Sequence, residues 1–133
     1  MIINLAGVTF LPEEVKAALR AGEVRVGDAI QVEQLNSNTA SYDADFCVYS
    51  NDIPIGWIPQ LATIKKYMSN CIKEGQPEAH DMQLGRYKAA EKIRQQLTLD
   101  IHRNKVTPAG TVTRIEDYDG TPSISIYVEG VQA

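Results

Sequence analysis

The chain has 133 residues, which is enough for one hydrophobic core and too few for two full-sized domains. Hydrophobic residues make up 44% of it and charged residues 23%, a composition that excludes a disordered or membrane-embedded chain. The net charge of −4 excludes a uniformly basic surface, but nine of the thirteen Lys and Arg residues fall within residues 65–105, so a local basic face remains possible.

The N-terminal part of the chain predicts a strand and then a short helix. Residues 2–10 are rich in Ile, Val, Leu and Phe, and they lack the basic start and long apolar run of a signal peptide. Pro12 with two following acids begins the helix, and Gly22 ends it. Two cysteines, Cys47 and Cys71, fit a reduced compartment. We therefore expect an intracellular, cytoplasmic protein.

Three strands are predicted in the middle of the chain. Residues 29–35 alternate between apolar and polar, and a polar loop follows at residues 36–41. A second strand covers residues 44–49, in which the small Cys47 is expected to lie in the core. Residues 53–57 form a third strand, and their proline favours a short strand or a sheet edge.

Two helices and a hairpin complete the predicted order. Residues 60–74 and 82–103 each carry an apolar stripe at helical spacing, and the strands 109–115 and 123–129 flank a turn. The elements together predict one domain over residues 1–133, with an α+β, mainly β fold. The expected architecture is a small antiparallel β-barrel with two or three helices on one side.

No motif for catalysis or for a cofactor is present. His80 and His102 have no cysteine at a zinc-binding spacing, and the sequence has neither a Gly-rich phosphate loop nor a nucleophile elbow. Asp43, Asp45 and Asp52 could offer oxygen ligands to a divalent ion, but acids in turns more often cap backbone groups. We expect no cofactor, no metal and no enzymatic activity.

The most informative pattern lies between residues 27 and 60. A Gly-Asp-x-Ile-x-Val strand leads through a polar loop to Tyr42 and Asp43, then to a second strand, a turn and Ile-Gly-Trp-Ile-Pro at residues 55–59. This arrangement resembles HIRAN domains, which have an N-x-Y-D loop and an I-G-Y-(I/L/V)-P segment in the same order. The resemblance covers about residues 5–70, and residues 75–105 look like a helical insertion into the family's fold.

The resemblance implies an OB- or SH3-like barrel that binds single-stranded DNA, especially at a free 3′ end. Carried over by position, Phe10 would stack on a base and Tyr42 would pack on the terminal nucleotide. Asp43 would accept a hydrogen bond from the terminal hydroxyl, and Trp57 would lie at the groove. Stacking on aromatic rings tolerates any sequence, because every base has a π-face.

The chain departs from the family pattern at two positions. Ala40 stands where the family has its loop asparagine, and Gln60 stands where it has a basic residue after the proline. Lys65 and Lys66 follow one helical turn later and are the nearest candidates to meet a phosphate. Because phosphate contacts supply much of the affinity for nucleic acids, the change at Gln60 predicts weaker binding.

Each of these residues also has an ordinary structural role open to it. Phe10 and Trp57 suit a hydrophobic core, Tyr42 can pack its own loop, and Asp43 can cap the loop backbone. The charged residues between 65 and 105 also fit a solvated helix surface.

Two further functions remain open from the sequence. One is a protein-interaction or regulatory module on the same scaffold, such as a phage-type inhibitor of a host factor, with the 82–103 helix as the partner or homodimer surface. The other, weaker alternative is a nuclease in which Asp43 takes part in Mg²⁺-dependent cleavage. Neither predicts association with a membrane.

Overall fold

The computed structural model describes residues 1–35, 45–102, 110–118 and 121–131. Within these ranges the elements follow the predicted order of strand, short helix, three strands, two helices and hairpin. Helical residues outnumber strand residues, so the α+β class is confirmed and the expectation of a mainly β fold is wrong. The same ranges contain no helix that is long and apolar enough to cross a bilayer.

The strands form two three-stranded antiparallel sheets. The first has the order β1–β6–β5, with β1 at Ile2–Asn4, β6 at Thr121–Val128 and β5 at Gly110–Tyr118. The second has the order β2–β3–β4, with β2 at Gln31–Gln34, β3 at Phe46–Ser50 and β4 at Ile53–Trp57. β4, which contains Pro54, is an edge strand of its sheet, as the proline predicted.

The described strands do not close into the predicted barrel, because the two sheets meet through isolated bridges and one flanking backbone hydrogen bond, from Gly27 N to Val112 O. At one pair of edges Ala6 N donates to Trp57 O over 2.8 Å, and Trp57 N donates to Ala6 O over 3.0 Å. At the other pair Ala29 bridges to Thr111. A single bridge is no continuous ladder, so the architecture is two sheets joined at both margins.

The first strand is shorter than the sequence indicated. It ends at Asn4, and Gly7 then adopts a left-handed conformation with φ of 72° that turns the chain into a 3₁₀ turn at Val8–Phe10. The expected strand over residues 2–10 is therefore wrong in its second half. Phe10 lies on this turn and not on a strand.

The helices are α1 (Glu13–Arg20), α2 (Leu61–Lys73) and α3 (Pro77–His102). Gly22, with φ of 78°, follows the end of α1 as predicted. α3 begins five residues before the predicted start at residue 82. Proline suits the first position of a helix because its missing N–H has no partner there in any case. α2 and α3 pack against each other as a helical hairpin.

A buried arginine connects α3 to the segment that follows β4. Arg94 is 1% exposed, and its Nε donates to Pro59 O over 2.8 Å while its Nη2 donates to Ile58 O over 3.0 Å. Its Cζ lies 5.3 Å from the centroid of the Phe46 ring. One hydrophobic cluster, to which both sheets and all three helices contribute, surrounds these contacts. Arg94 therefore fixes the course of the chain between β4 and α2.

Candidate functional site

An open groove of about 1010 Å³ lies between the N-terminal segment and the helical hairpin. It is lined by residues 2–10, by residues 57–60, and by side chains of α2 and α3. Three of the residues singled out from the sequence meet in it, namely Phe10, Trp57 and Gln60. The groove therefore brings together parts of the chain that the HIRAN resemblance assigned to one binding site.

Phe10 is the most exposed large apolar side chain in the described part of the molecule. It is 86% exposed, whereas its neighbours Val8 and Leu11 are each 4% exposed. The 3₁₀ turn thus buries Val8 and Leu11 and leaves the Phe10 ring in solvent at the groove. The alternative in which Phe10 belongs to the core is wrong.

Trp57 contributes to the core and to the groove at once. It is half-buried and packs against the hydrophobic cluster. A Cβ built on Gly7 would lie 2.6 Å from Trp57 Cε3, so the indole ring rests directly on the Gly7 backbone. Gly7 therefore turns the chain and also makes room for the ring.

Gly56 is required by the close approach of the N-terminal segment to β4. Its φ is 148°, and a Cβ there would lie 2.9 Å from Leu5 Cβ and 3.2 Å from Ala6 O. The sequence predicted such an approach or a bulge at this glycine, and the approach is confirmed. It holds Trp57 beside the segment that carries Phe10.

Gln60 lies at the groove and is hydrogen-bonded to the residue that precedes β3. Its Nε2 donates to Asp45 Oδ1 over 2.9 Å. Tyr42 and Asp43, the other two predicted nucleotide contacts, lie outside the described residues, as does Ala40. Where their side chains stand relative to the groove is therefore still a prediction.

The two predicted phosphate-binding lysines do not line the groove. Lys65 and Lys66 are exposed on α2, and Lys65 Nζ lies 5.9 Å from the centroid of the Tyr87 ring. The lining residues from the neighbouring positions of α2 are Thr63, Ile64 and Tyr67. Helical spacing turns the two lysines away while these three face the groove.

The cation that lines the groove is Arg86 on α3, which the sequence analysis did not single out. Within the described ranges its buried Nε has no hydrogen-bond partner, and no carboxylate forms an ion pair with it. Burial lowers the pKa of the Arg86 guanidinium, and the nearby Tyr67 opposes this shift. Tyr67 itself is 46% exposed and lines the same groove.

The described residues offer no alternative site for metal chemistry. Among them no group of three or more His, Cys, Asp or Glu side chains could hold a metal ion. Asp45 and Asp52 are described, whereas Asp43, the third acid considered from the sequence, is not.

Comparison of the chain with protein-family models, with curated proteins and with solved structures found no match in any of the three. The resemblance to HIRAN domains therefore rests on the sequence pattern alone.

Proposed function

We propose that the chain is a non-catalytic module that binds single-stranded DNA in the groove between the 3₁₀ turn and the helical hairpin. The observation that carries the proposal is the 86% exposed Phe10 ring in a groove that also contains Trp57, Tyr67 and Arg86. Exposed aromatic rings provide stacking platforms for bases, and a guanidinium provides a partner for a phosphate. This combination is typical of sites that follow a single strand.

The charges at the groove predict weak binding in which stacking dominates. Arg86 and Asp45 are its charged residues within the described ranges, and the whole chain has a net charge of −4. Few phosphates are therefore neutralised, so the salt dependence of binding is shallow. Stacking contributes about 1–3 kcal/mol per base, so two or three rings give roughly 2–9 kcal/mol, which reaches micromolar affinity only at its upper end.

The finer part of the proposal is recognition of a free 3′ end through Tyr42 and Asp43. A carboxylate accepts a hydrogen bond from a terminal hydroxyl and repels a phosphate in the same place. An oligonucleotide with a 3′-hydroxyl should therefore bind more tightly than one with a 3′-phosphate. This preference should disappear in Asp43→Ala, while the affinity for the strand itself persists.

Fluorescence anisotropy with labelled oligonucleotides tests the proposal. We expect Phe10→Ala to weaken binding by roughly tenfold, because one stacking platform is lost. Tyr127→Ala is the matched control, since Tyr127 is another exposed aromatic residue, 39% exposed, that does not line the groove. No binding of either oligonucleotide at tens of micromolar protein would remove the proposal.

A second candidate function, protein interaction, is favoured by apolar side chains at the groove. Ile2 and Met82 are 61% and 69% exposed there, and such surfaces also suit a peptide or a second copy of the chain. In this case α3 is the partner surface. Capture of a partner that survives Phe10→Ala but fails when Lys88 and Lys92 are replaced would favour it over DNA binding, and light scattering would reveal a homodimer.

A further inference from the structure

Two buried polar atoms on α3 have no hydrogen-bond partner among the described residues, and both belong to side chains that line the groove. They are Gln83 Oε1, an acceptor, and Arg86 Nε, a donor. The two residues are separated by three positions and therefore share one face of the helix. Buried polar atoms in folded proteins are almost always paired. Thr113 Oγ1 is also unpaired but does not line the groove, whereas a ligand in the groove could supply partners to both the acceptor of Gln83 and the donor of Arg86.

Gly85 provides a second, independent observation at the α3 side of the groove. Glycine in a helix interior lowers stability relative to alanine, and it is retained where packing or a ligand requires it. A Cβ built on Gly85 would meet no atom within 4 Å, so packing within the described chain does not require this glycine. Gly85 lines the same groove as Gln83 and Arg86. A ligand that approaches the α3 backbone closely accounts for it.

We infer that Gln83, Gly85 and Arg86 form a nucleotide subsite on α3. The guanidinium of Arg86 binds one phosphate of the strand, and the side-chain carbonyl of Gln83 accepts a hydrogen bond from a hydroxyl or amino group of the same nucleotide. Gly85 leaves room for the sugar–phosphate backbone against the helix. This inference rests on the proposed function, because a single strand in the groove is what supplies the phosphate.

The electrostatics of Arg86 fit this role. A guanidinium that is partly removed from water and has no carboxylate partner gains more from a phosphate than an exposed lysine does. Burial lowers the pKa of Arg86, and the negative charge of a bound phosphate would oppose that shift. Lys88 and Lys92 on the same helix are exposed and outside the groove, so they lack this advantage.

Gly85→Ala separates a ligand-binding role from a structural one. Alanine is the better helix former and meets no atom here, so the midpoint of thermal unfolding should rise by roughly 3 °C. Affinity for a single-stranded oligonucleotide should nevertheless fall several-fold, because the new methyl group occupies the approach to the helix. Asn70→Ala, an exposed position on α2 outside the groove, should raise the midpoint without changing the affinity.

Charge and hydrogen bonding are separated by two more variants. Arg86→Gln should weaken binding roughly tenfold and reduce the slope of log K against log salt by about 0.7, the contribution of one phosphate contact on a single strand. Lys88→Gln removes the same charge from the same helix and should leave both quantities unchanged. Gln83→Leu should weaken binding without changing the slope, because no charge is lost.

The outcomes distinguish this inference from the proposed function. If the unaltered protein binds no oligonucleotide, the proposed function and the subsite on α3 are both contradicted. If it binds, and Phe10→Ala weakens that binding while Gly85→Ala and Arg86→Gln do not, the strand occupies the groove without using α3. The subsite alone is then overturned, and the proposed function stands.

Discussion

The side chain that does most to fix the site is Arg94, although it does not line the groove. Its guanidinium donates hydrogen bonds to the backbone carbonyls of Ile58 and Pro59, in the segment between β4 and α2. These carbonyls are buried and have left the β-ladder, so without Arg94 they would lack donors. The apolar stripe predicted within residues 82–103 is buried, as Ile93 and Leu97 show, but periodicity alone cannot identify an arginine as a core residue.

Replacement of Arg94 by Met should lower the free energy of unfolding by about 3 kcal/mol, because two buried carbonyls lose their donors. Urea denaturation measures this change. Lys92→Met is the matched control, since Lys92 is exposed on the same helix, and its effect should stay within about 0.5 kcal/mol. Equal effects of the two substitutions would show that the Arg94 hydrogen bonds contribute little net stability.

At the scale of elements, the turn from β1 into the 3₁₀ segment determines the positions of the Phe10 and Trp57 rings. The sequence pattern predicted a continuous strand because its apolar residues are compatible with one, and the positive φ of Gly7 is invisible to that pattern. A glycine inside a strand pattern does signal a bulge or a close approach. Here the close approach is to Trp57, which lies far along the chain. Sequence periodicity does not predict long-range contacts of this kind.

Gly7→Ala tests this arrangement. Its left-handed φ of 72° costs a non-glycine residue about 1 kcal/mol, and the contact of 2.6 Å with Trp57 Cε3 adds displacement of the ring. We expect lower stability and an altered fluorescence emission from Trp57. Gly75→Ala is the control, because its φ of 67° brings the same backbone strain with no atom within 4 Å. An unchanged emission in Gly7→Ala would contradict the contact.

At the scale of the whole molecule, the sequence predicted the order of elements better than their assembly. Alternation and helical spacing identify elements locally, whereas barrel closure depends on pairing between sheet edges, which here is limited to isolated bridges and one flanking hydrogen bond. The site shows the same division. Phe10, Trp57 and Gln60 line one groove, but Arg86 was hidden among the charges of a long helix. A glycine within that helix was the signal that could have pointed to it.

The central claim, that a single strand lies in this groove against the aromatic rings, can be measured through the chain's one tryptophan. Trp57 lines the groove, so stacking of bases nearby should change its fluorescence saturably as a single-stranded oligonucleotide is added. The midpoint should match that from anisotropy and should move to higher concentration in Phe10→Ala. Oligonucleotide binding that is evident by anisotropy yet leaves the Trp57 emission unchanged would contradict the account.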